Sequence, residues 1–310
     1  MTTQQRKIDS GFDANSTVDD VLDGVDLHGR TILLTGGYSG IGLAATRSLI
    51  RAGAHVIVPA RRLDVAQEAL GETTAEVAKL DLADLGDVRG FVSSFLASGR
   101  TIDAIIANAG VMACPERRVG PGWESQFAIN HLGHFALIEG LRPSLRAGSR
   151  VVSLSSSGHF LSGIRWDDLD FRTGYDKWLA YGQAKTATSL FAVHLDAVAD
   201  GVSAFAVHPG AILTPLQRHI PRDQQIERGW IDSAGHAADG FKSIEQGAAT
   251  MVWAATSPQL DGLGGLYLQD CDVAEPAAGD DMAVGGVKPW AIDRDDAARL
   301  WDVSEQLIRG

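Results

Sequence analysis

Cysteine is scarce in this chain: Cys114 and Cys271 are its only two, enough for one bridge at most, and neither has a metal-ligand neighbour at a useful spacing. Reduced, unligated thiols are the expectation, and no metal site is assigned. Long apolar runs are also missing. None approaches the roughly 18 residues a bilayer span needs, and the polar start Met1-Thr2-Thr3-Gln4-Gln5-Arg6-Lys7 lacks a signal peptide's apolar core. A cytoplasmic location with no membrane span follows as the expectation. Basic residues are in deficit too, 27 Lys and Arg against 39 Asp and Glu, for a net charge of −12. That balance argues against a nucleic-acid backbone or an anionic membrane as a main partner, since both recruit basic surfaces. Internal repeats and low-complexity tracts are absent.

What remains is the composition of a globule able to bury a sizeable core, 45% hydrophobic and 21% charged. Residues 1–26 carry many Asp, Ser, Thr and Asn without a sustained period and read as a flexible or loosely draped extension. Residues 27–310 read as one α/β domain. Short β-prone runs alternate there with helical segments: Thr31 to Thr35, His55 to Val58, Glu76 to Leu80, Ile102 to Ala107, Arg150 to Ser155, Val202 to Val207 and Gly265 to Leu268. About seven strands with helices between them imply a doubly wound parallel sheet of the Rossmann type, covered on both faces.

The chain is organised around Leu33 to Leu43, where an apolar run gives way to glycines and then to a helical pattern. An anion at a helix start meets unpaired N–H groups and the positive end of the dipole, and glycines let the backbone approach it. Gly36, Ser39, Gly40, Ile41 and Gly42 are therefore candidate cofactor contacts. Alone, three glycines are a common turn. The stripe Ile41, Ala44, Ala45, Ser48 and Leu49, the helix stop at Gly53 and the next strand complete a strand-helix-strand unit and give the loop its context.

Chemistry in such sheets sits outside the carboxyl ends of the strands. After the second strand stand Arg61 and Arg62. A carboxylate there suits a ribose 2′-hydroxyl and cations suit a 2′-phosphate, so the pair favours NADP(H), with NAD(H) possible; two solvated arginines are the plain alternative. Asp81 and Leu82 follow the third strand, and Asn108, Ala109 and Gly110 the fourth. Asp81 and Asn108 read either as cofactor contacts or as local caps.

Tyr181 and Lys185 are four apart in a strongly helical segment and share a face. An ammonium beside a phenol stabilises phenolate, so Lys185 is expected to lower the Tyr181 pKa toward neutrality, as proton exchange with a carbonyl or alcohol oxygen requires. Tyr and Lys at this spacing are often no more than an exposed face. Upstream, Ser155-Ser156-Ser157 ends a strand, and a buried helix around Asn130 carries an amide that needs partners. His131 and His134 could face a metal but lack a third ligand, and read as packed. Gly37-Tyr38-Ser39-Gly40-Ile41 fails as a hydrolase elbow, because isoleucine stands where the second glycine is needed.

Together these motifs resemble the short-chain dehydrogenase/reductases: Thr35 to Gly42, Asn108-Ala109-Gly110, Asn130, Ser156, Tyr181 with Lys185, and His208-Pro209-Gly210 with Thr214. The likeness runs from Leu27 to Ile308. The wide gap between Ser156 and Tyr181, with Lys242 to Ala248 and Gly265 to Leu268, is similar to the retinol dehydrogenase and WW-domain oxidoreductase branch, without an anchor or a WW module. The resemblance implies Tyr181 as acid/base, Lys185 as its partner and a hold on the nicotinamide ribose, Ser156 as the group orienting the substrate oxygen, and Asn130 in a proton relay behind Lys185. It also implies that Pro209, Gly210, Ile212 and Thr214 line the nicotinamide.

The expected activity is NADP(H)-dependent interconversion of a carbonyl and an alcohol. A non-catalytic NADP(H)-binding scaffold or sensor and a C=C reductase are the alternatives. Trp166, Trp178, Trp230 and Phe241 suggest an apolar or aromatic small-molecule substrate. A homo-oligomer is possible.

Overall fold

The structure is a computed structural model and describes residues 4–309. Ten strands occur in chain order: β1 (Thr31–Leu34), β2 (His55–Ala60), β3 (Glu76–Lys79), β4 (Ile102–Ala107), β5 (Arg118–Val119), β6 (Trp123–Glu124), β7 (Leu145–Leu154), β8 (Ser203–His208), β9 (Leu266–Gln269) and β10 (Asp272–Val273). Eight of them form one sheet in the order β10-β9-β8-β7-β4-β1-β2-β3. All pairs in it are parallel except β9 with the edge strand β10. Each of the seven runs read from the sequence is a strand of this sheet. The eighth, β10, has only two residues and follows the tight turn at Asp270 and Cys271, both at positive φ. It was too short to carry a period.

Side-chain alternation builds the layers. Ile32, Leu34, Val56, Val58, Ile106 and Val152 face one cluster, covered by the helices Gly40–Arg51 and Ile244–Thr256. Leu33, Ile57, Ile105 and Val151 face the other, under Leu85–Ala97, Gly133–Leu141 and Lys177–Val198. With both faces dry, the strands read as continuous apolar runs, each buried Leu, Ile or Val contributing about 1.5–3 kcal/mol. Strand order reverses between β1 and β4, and in sheets of this kind ligands bind outside the carboxyl ends of the strands at such a switch point.

The expectation of a flexible or loosely draped extension is corrected for residues 4–26. Val18, Val21 and Leu22 are buried in the first cluster, and Ile8 and Phe12 pack against it together with Tyr38 of the glycine loop. Polar anchors hold the rest. Gln5 Nε2 donates to Tyr267 O and Ala274 O, Tyr267 N donates back to Gln5 Oε1, and Asp272 accepts from Ile8 N and Ser10 N. The apolar residues are too widely spaced to form a repeat, and their polar partners lie far along the chain.

Candidate functional site

The glycine loop follows β1 at this switch point. Gly36 and Gly40 adopt positive φ of 70° and 52°, and a Cβ on Gly42 would lie 2.3 Å from Gly36 O. Only glycine permits this close turn. Ser39 is the N-cap of the Gly40–Arg51 helix, yet its side chain caps nothing. The first N–H groups of that helix are thus left to an anion from outside, which is the fit a dinucleotide pyrophosphate requires. Asn108 Nδ2 donates to Thr35 O at 2.9 Å and Ala109 N to Thr35 Oγ1 at 3.0 Å, which ties the loop to the end of β4.

Around this loop the other expected cofactor residues gather. Thr214 packs over Gly40, and Ile212 and Ile41 meet at Gly247. Gly210 has φ of 97° and lies against Lys242, whose Nζ donates to Asp270 at 2.6 Å. Arg61 and Arg62 follow β2, exposed, with no ion-pair partner among the described residues. Asp81 takes up the local role that the sequence left open: its Oδ1 accepts from Ala83 N at 3.0 Å. Leu82 packs on Gly133, where a Cβ would meet Leu82 O.

Tyr181 and Lys185 sit on the Lys177–Val198 helix, both buried, at 4% and 6% exposure. Burial pushes the Tyr181 phenol up to about 12 against a smaller lowering by the neighbouring Ser156 hydroxyl, and brings Lys185 down to about 8. The expected lowering of the phenol by Lys185 is therefore not what the site shows. Lys185 Nζ is 5.7 Å from the ring centroid and donates to Leu154 O at 2.6 Å, so its charge is spent on a carbonyl and weakened by its own desolvation.

The triple serine divides by strand alternation. Ser155 Oγ turns under the sheet to Lys185 O and receives Ser189 Oγ. Ser156 faces Tyr181, with its Oγ accepting Gly158 N at 3.0 Å. Asn130 lies in a π-helical turn, Ala128–Leu132, set between two α-helical pieces. Such turns free main-chain groups that a regular helix would consume. The Asn130 amide clamps Val111 through both N and O, at 2.9 and 3.0 Å, rather than facing a relay. Its carbonyl accepts from His134 Nδ1.

Sequence reasoning gave His134 no role beyond packing. It joins Asn130 O to Thr35 Oγ1, at 3.0 and 2.9 Å, and so links the π-helical turn to the glycine loop. Thr35 follows β1 at the start of the motif and was its one legible signal. His131 packs among Phe127, Phe135 and Phe191 and bonds Ser304. Of the aromatic residues read as a lining, Trp178 and Trp230 join Met112, Ala113, Ile220 and Leu216 around Tyr181. Trp166 does not; it packs in a separate cluster and carries Arg299 at 4.1 Å from its ring.

Residues 30–225 match the short chain dehydrogenase family. A probable oxidoreductase of Streptomyces antibioticus is 41% identical over 301 residues, covering 92% of this chain and 99% of its own length. Human retinol dehydrogenase 14 is 34% identical, with 91% and 87% covered. The crystal structure of an uncharacterized protein from Mycobacterium Paratuberculosis superposes with a TM-score of 0.73 at 32% identity, over 95% of this chain and 98% of that one. Glycine loop, sheet order and near full-length likeness agree: the chain belongs to the short-chain dehydrogenase/reductase family of oxidoreductases, on its retinol-dehydrogenase-like side.

Proposed function

We propose that this protein is an NADP(H)-dependent oxidoreductase that interconverts a carbonyl and an alcohol, with Tyr181 as the general acid/base. The observation that carries the reading is the buried Tyr181 phenol, set with the Ser156 hydroxyl around Gly158 and one helical turn from Lys185, at the end of the sheet headed by the uncapped Gly40–Arg51 helix.

When bound, the nicotinamide supplies or accepts the hydride. The chain does the rest. A phenol held near 12 is protonated at neutral pH and can give its proton to a carbonyl oxygen; in the other direction it must first lose it, so alcohol oxidation rises with pH. Ser156 has its acceptor side occupied by Gly158 N–H, which leaves its own O–H to bond the substrate oxygen. Lys185 holds the nicotinamide ribose, and Asn130 keeps the Val111 backbone in place beside it. Pro209, Gly210, Ile212 and Thr214 wall the nicotinamide. Arg61 and Arg62, free of carboxylates, select a 2′-phosphate over a bare ribose.

The substrate is an apolar or aromatic small molecule entering between Trp178, Trp230, Met112 and Ile220. Two buried free thiols suit a reducing, cytoplasmic setting. The test is NADPH binding by fluorescence, followed by NADPH oxidation over aromatic, aliphatic, steroid and retinoid carbonyls with product analysis. Absence of binding, or binding without turnover on any carbonyl, would end this reading, and a saturated C=C bond in the product would redirect it.

A further inference from the structure

One peptide unit carries Ser156 into its turn, the bond from Ser156 to Ser157, and imidazoles hold both of its polar atoms. Ser156 O accepts from His159 Nδ1 at 2.6 Å. Ser157 N donates to His208 Nδ1 at 3.2 Å. A carbonyl can only accept and an N–H can only donate, so the two rings are fixed in opposite tautomers: His159 carries its proton on Nδ1, and His208 carries it on Nε2.

The remaining contacts agree with this assignment. His159 Nε2 accepts from Lys288 N at 3.1 Å, and His208 Nδ1 also receives Gly210 N at 3.5 Å. Tyr267 Oη lies 3.2 Å from His159 Nδ1. The His159 carbonyl is held in turn by Trp290 Nε1 at 3.0 Å. Both histidines are buried, at 0% and 8% exposure, and desolvation keeps both neutral, depressed to about 4 for His159 and about 3 for His208. Neither ring bonds Tyr181 or Lys185.

The peptide so held has little freedom on its far side. Ser156 Oγ accepts Gly158 N, and Gly158 lies so close to Tyr181 that a Cβ there would be 2.6 Å from Cε1 of the ring. Rotation of the peptide would press this turn into the phenol or draw the Ser156 hydroxyl off it. We infer that His159 and His208 are positioning residues that clamp this single peptide from both ends and so aim the Ser156 hydroxyl at Tyr181. The inference rests on the roles given to Ser156 and Tyr181 above. It adds that the end of β8 and the segment Lys288 to Trp290, both distant in sequence, back the catalytic serine.

Two amides separate the clamp from mere packing. His159→Asn places an amide where Nδ1 stands and keeps a donor for Ser156 O; His159→Gln moves the amide to the Lys288 side and gives that donor up. With NADPH and the best carbonyl of the panel, H159Q is expected to lower kcat about 10- to 100-fold, with the NADPH KM within about twofold. The pH midpoint of alcohol oxidation should move upward, because the phenol loses the neighbouring Ser156 hydroxyl that lowers it. H159N should restore most of kcat and the midpoint. H208N, which keeps an acceptor, should likewise outperform H208L.

An activity-free readout comes from nitrogen-15 NMR of the ligand-free protein, which should find His159 protonated on Nδ1 and His208 on Nε2. The control is S156A. If it leaves kcat unchanged, the reading of Ser156 fails by itself. If S156A impairs turnover but H159N and H159Q behave alike, or if the tautomers are reversed, the clamp is overturned.

Discussion

The two ends of the sheet handle polar groups in opposite ways. At the amino end, Arg30 and Arg146 share Asp103, and Arg150 pairs with Asp261. A shallow cavity of about 370 Å³ opens there, lined by His28, Arg30, Asp103 and Arg146. Its guanidiniums are half exposed and already matched. At the carboxyl end, Tyr181, Lys185, His134, His159 and His208 are buried, and the lysine and the histidines are held by hydrogen bonds rather than ion pairs. Charges paired in water are screened, whereas burial displaces a group from its ordinary ionisation, as it does for Tyr181, Lys185 and the three histidines and also for Arg150 at the amino end. What sets the carboxyl end apart is a cluster of dry titratable groups held without ion pairs, the pattern a functional site is built on.

The sharpest way to break this contrast is to remove the phenol oxygen. Tyr181→Phe should cut turnover about 10²- to 10⁴-fold, the range a positioned proton donor supplies, with NADPH affinity nearly unchanged because the glycine loop is untouched. Single-turnover NADPH oxidation beside a fluorescence titration measures both. Next in size is cofactor choice. Arg61→Ala with Arg62→Ala should move the NADPH to NADH preference in kcat/KM by about 10- to 100-fold toward NADH, as expected for two charge-assisted contacts of about 1.5 kcal/mol each, discounted for their exposure. An unchanged ratio would return both residues to the role of solvated helix openers.

How much of this was legible in the sequence follows the same division. The strands declared themselves, since both faces are dry and every residue from Ile32 to Leu34 had to be apolar. The glycine loop was legible because Gly36, Gly40 and Gly42 answer local backbone needs. Tyr181 and Lys185 were legible as a pair, but the direction of the phenol's shift was not: burial outweighs the ammonium, and spacing along a helix says nothing about desolvation. The clamp on Ser156 was invisible because His159 and His208 stand far apart in sequence and meet only across one peptide. The strap of residues 4–26 was missed for the same reason, its anchors at Tyr267, Asp272 and Ala274 lying at the other end of the chain.

Acid sharpens the comparison at a smaller scale. His131 and His208 fall to about 3 and His134 and His159 to about 4, all below the ordinary 6.5 and all through burial. Between pH 6.5 and about 4 the folded protein binds fewer protons at these rings than the unfolded chain does. Stability is thus fully present above 6.5 and declines as pH falls through that window, by up to about 1.4 kcal/mol per pH unit for each ring. The buried carboxyls Glu124 and Glu139, raised by desolvation, act in the opposite sense at the lower part of the window. The clean region is pH 7 down to 5.5, where the thermal midpoint should drop steadily; a flat midpoint would mean that these rings are solvated.

The smallest effect belongs to the amino end, and it completes the contrast. Arg146 is half exposed, and its carboxylate keeps two other partners when it is removed: Arg30 Nη1 at 3.1 Å and Thr31 N at 2.8 Å from Asp103. Asp103 is itself buried, so losing one guanidinium does not leave it bare. Arg146→Ala should therefore cost less than about 1 kcal/mol, the usual scale of a solvent-screened pair, and added salt should shrink even that. Urea unfolding at low and high salt measures the cost, and kcat with NADPH should stay at the parent value because no element joins this edge to the Ser156 turn except the length of β7 and β4. A fall in kcat after this substitution would mean that the two ends communicate through the sheet, and the division of labour between them would have to be redrawn.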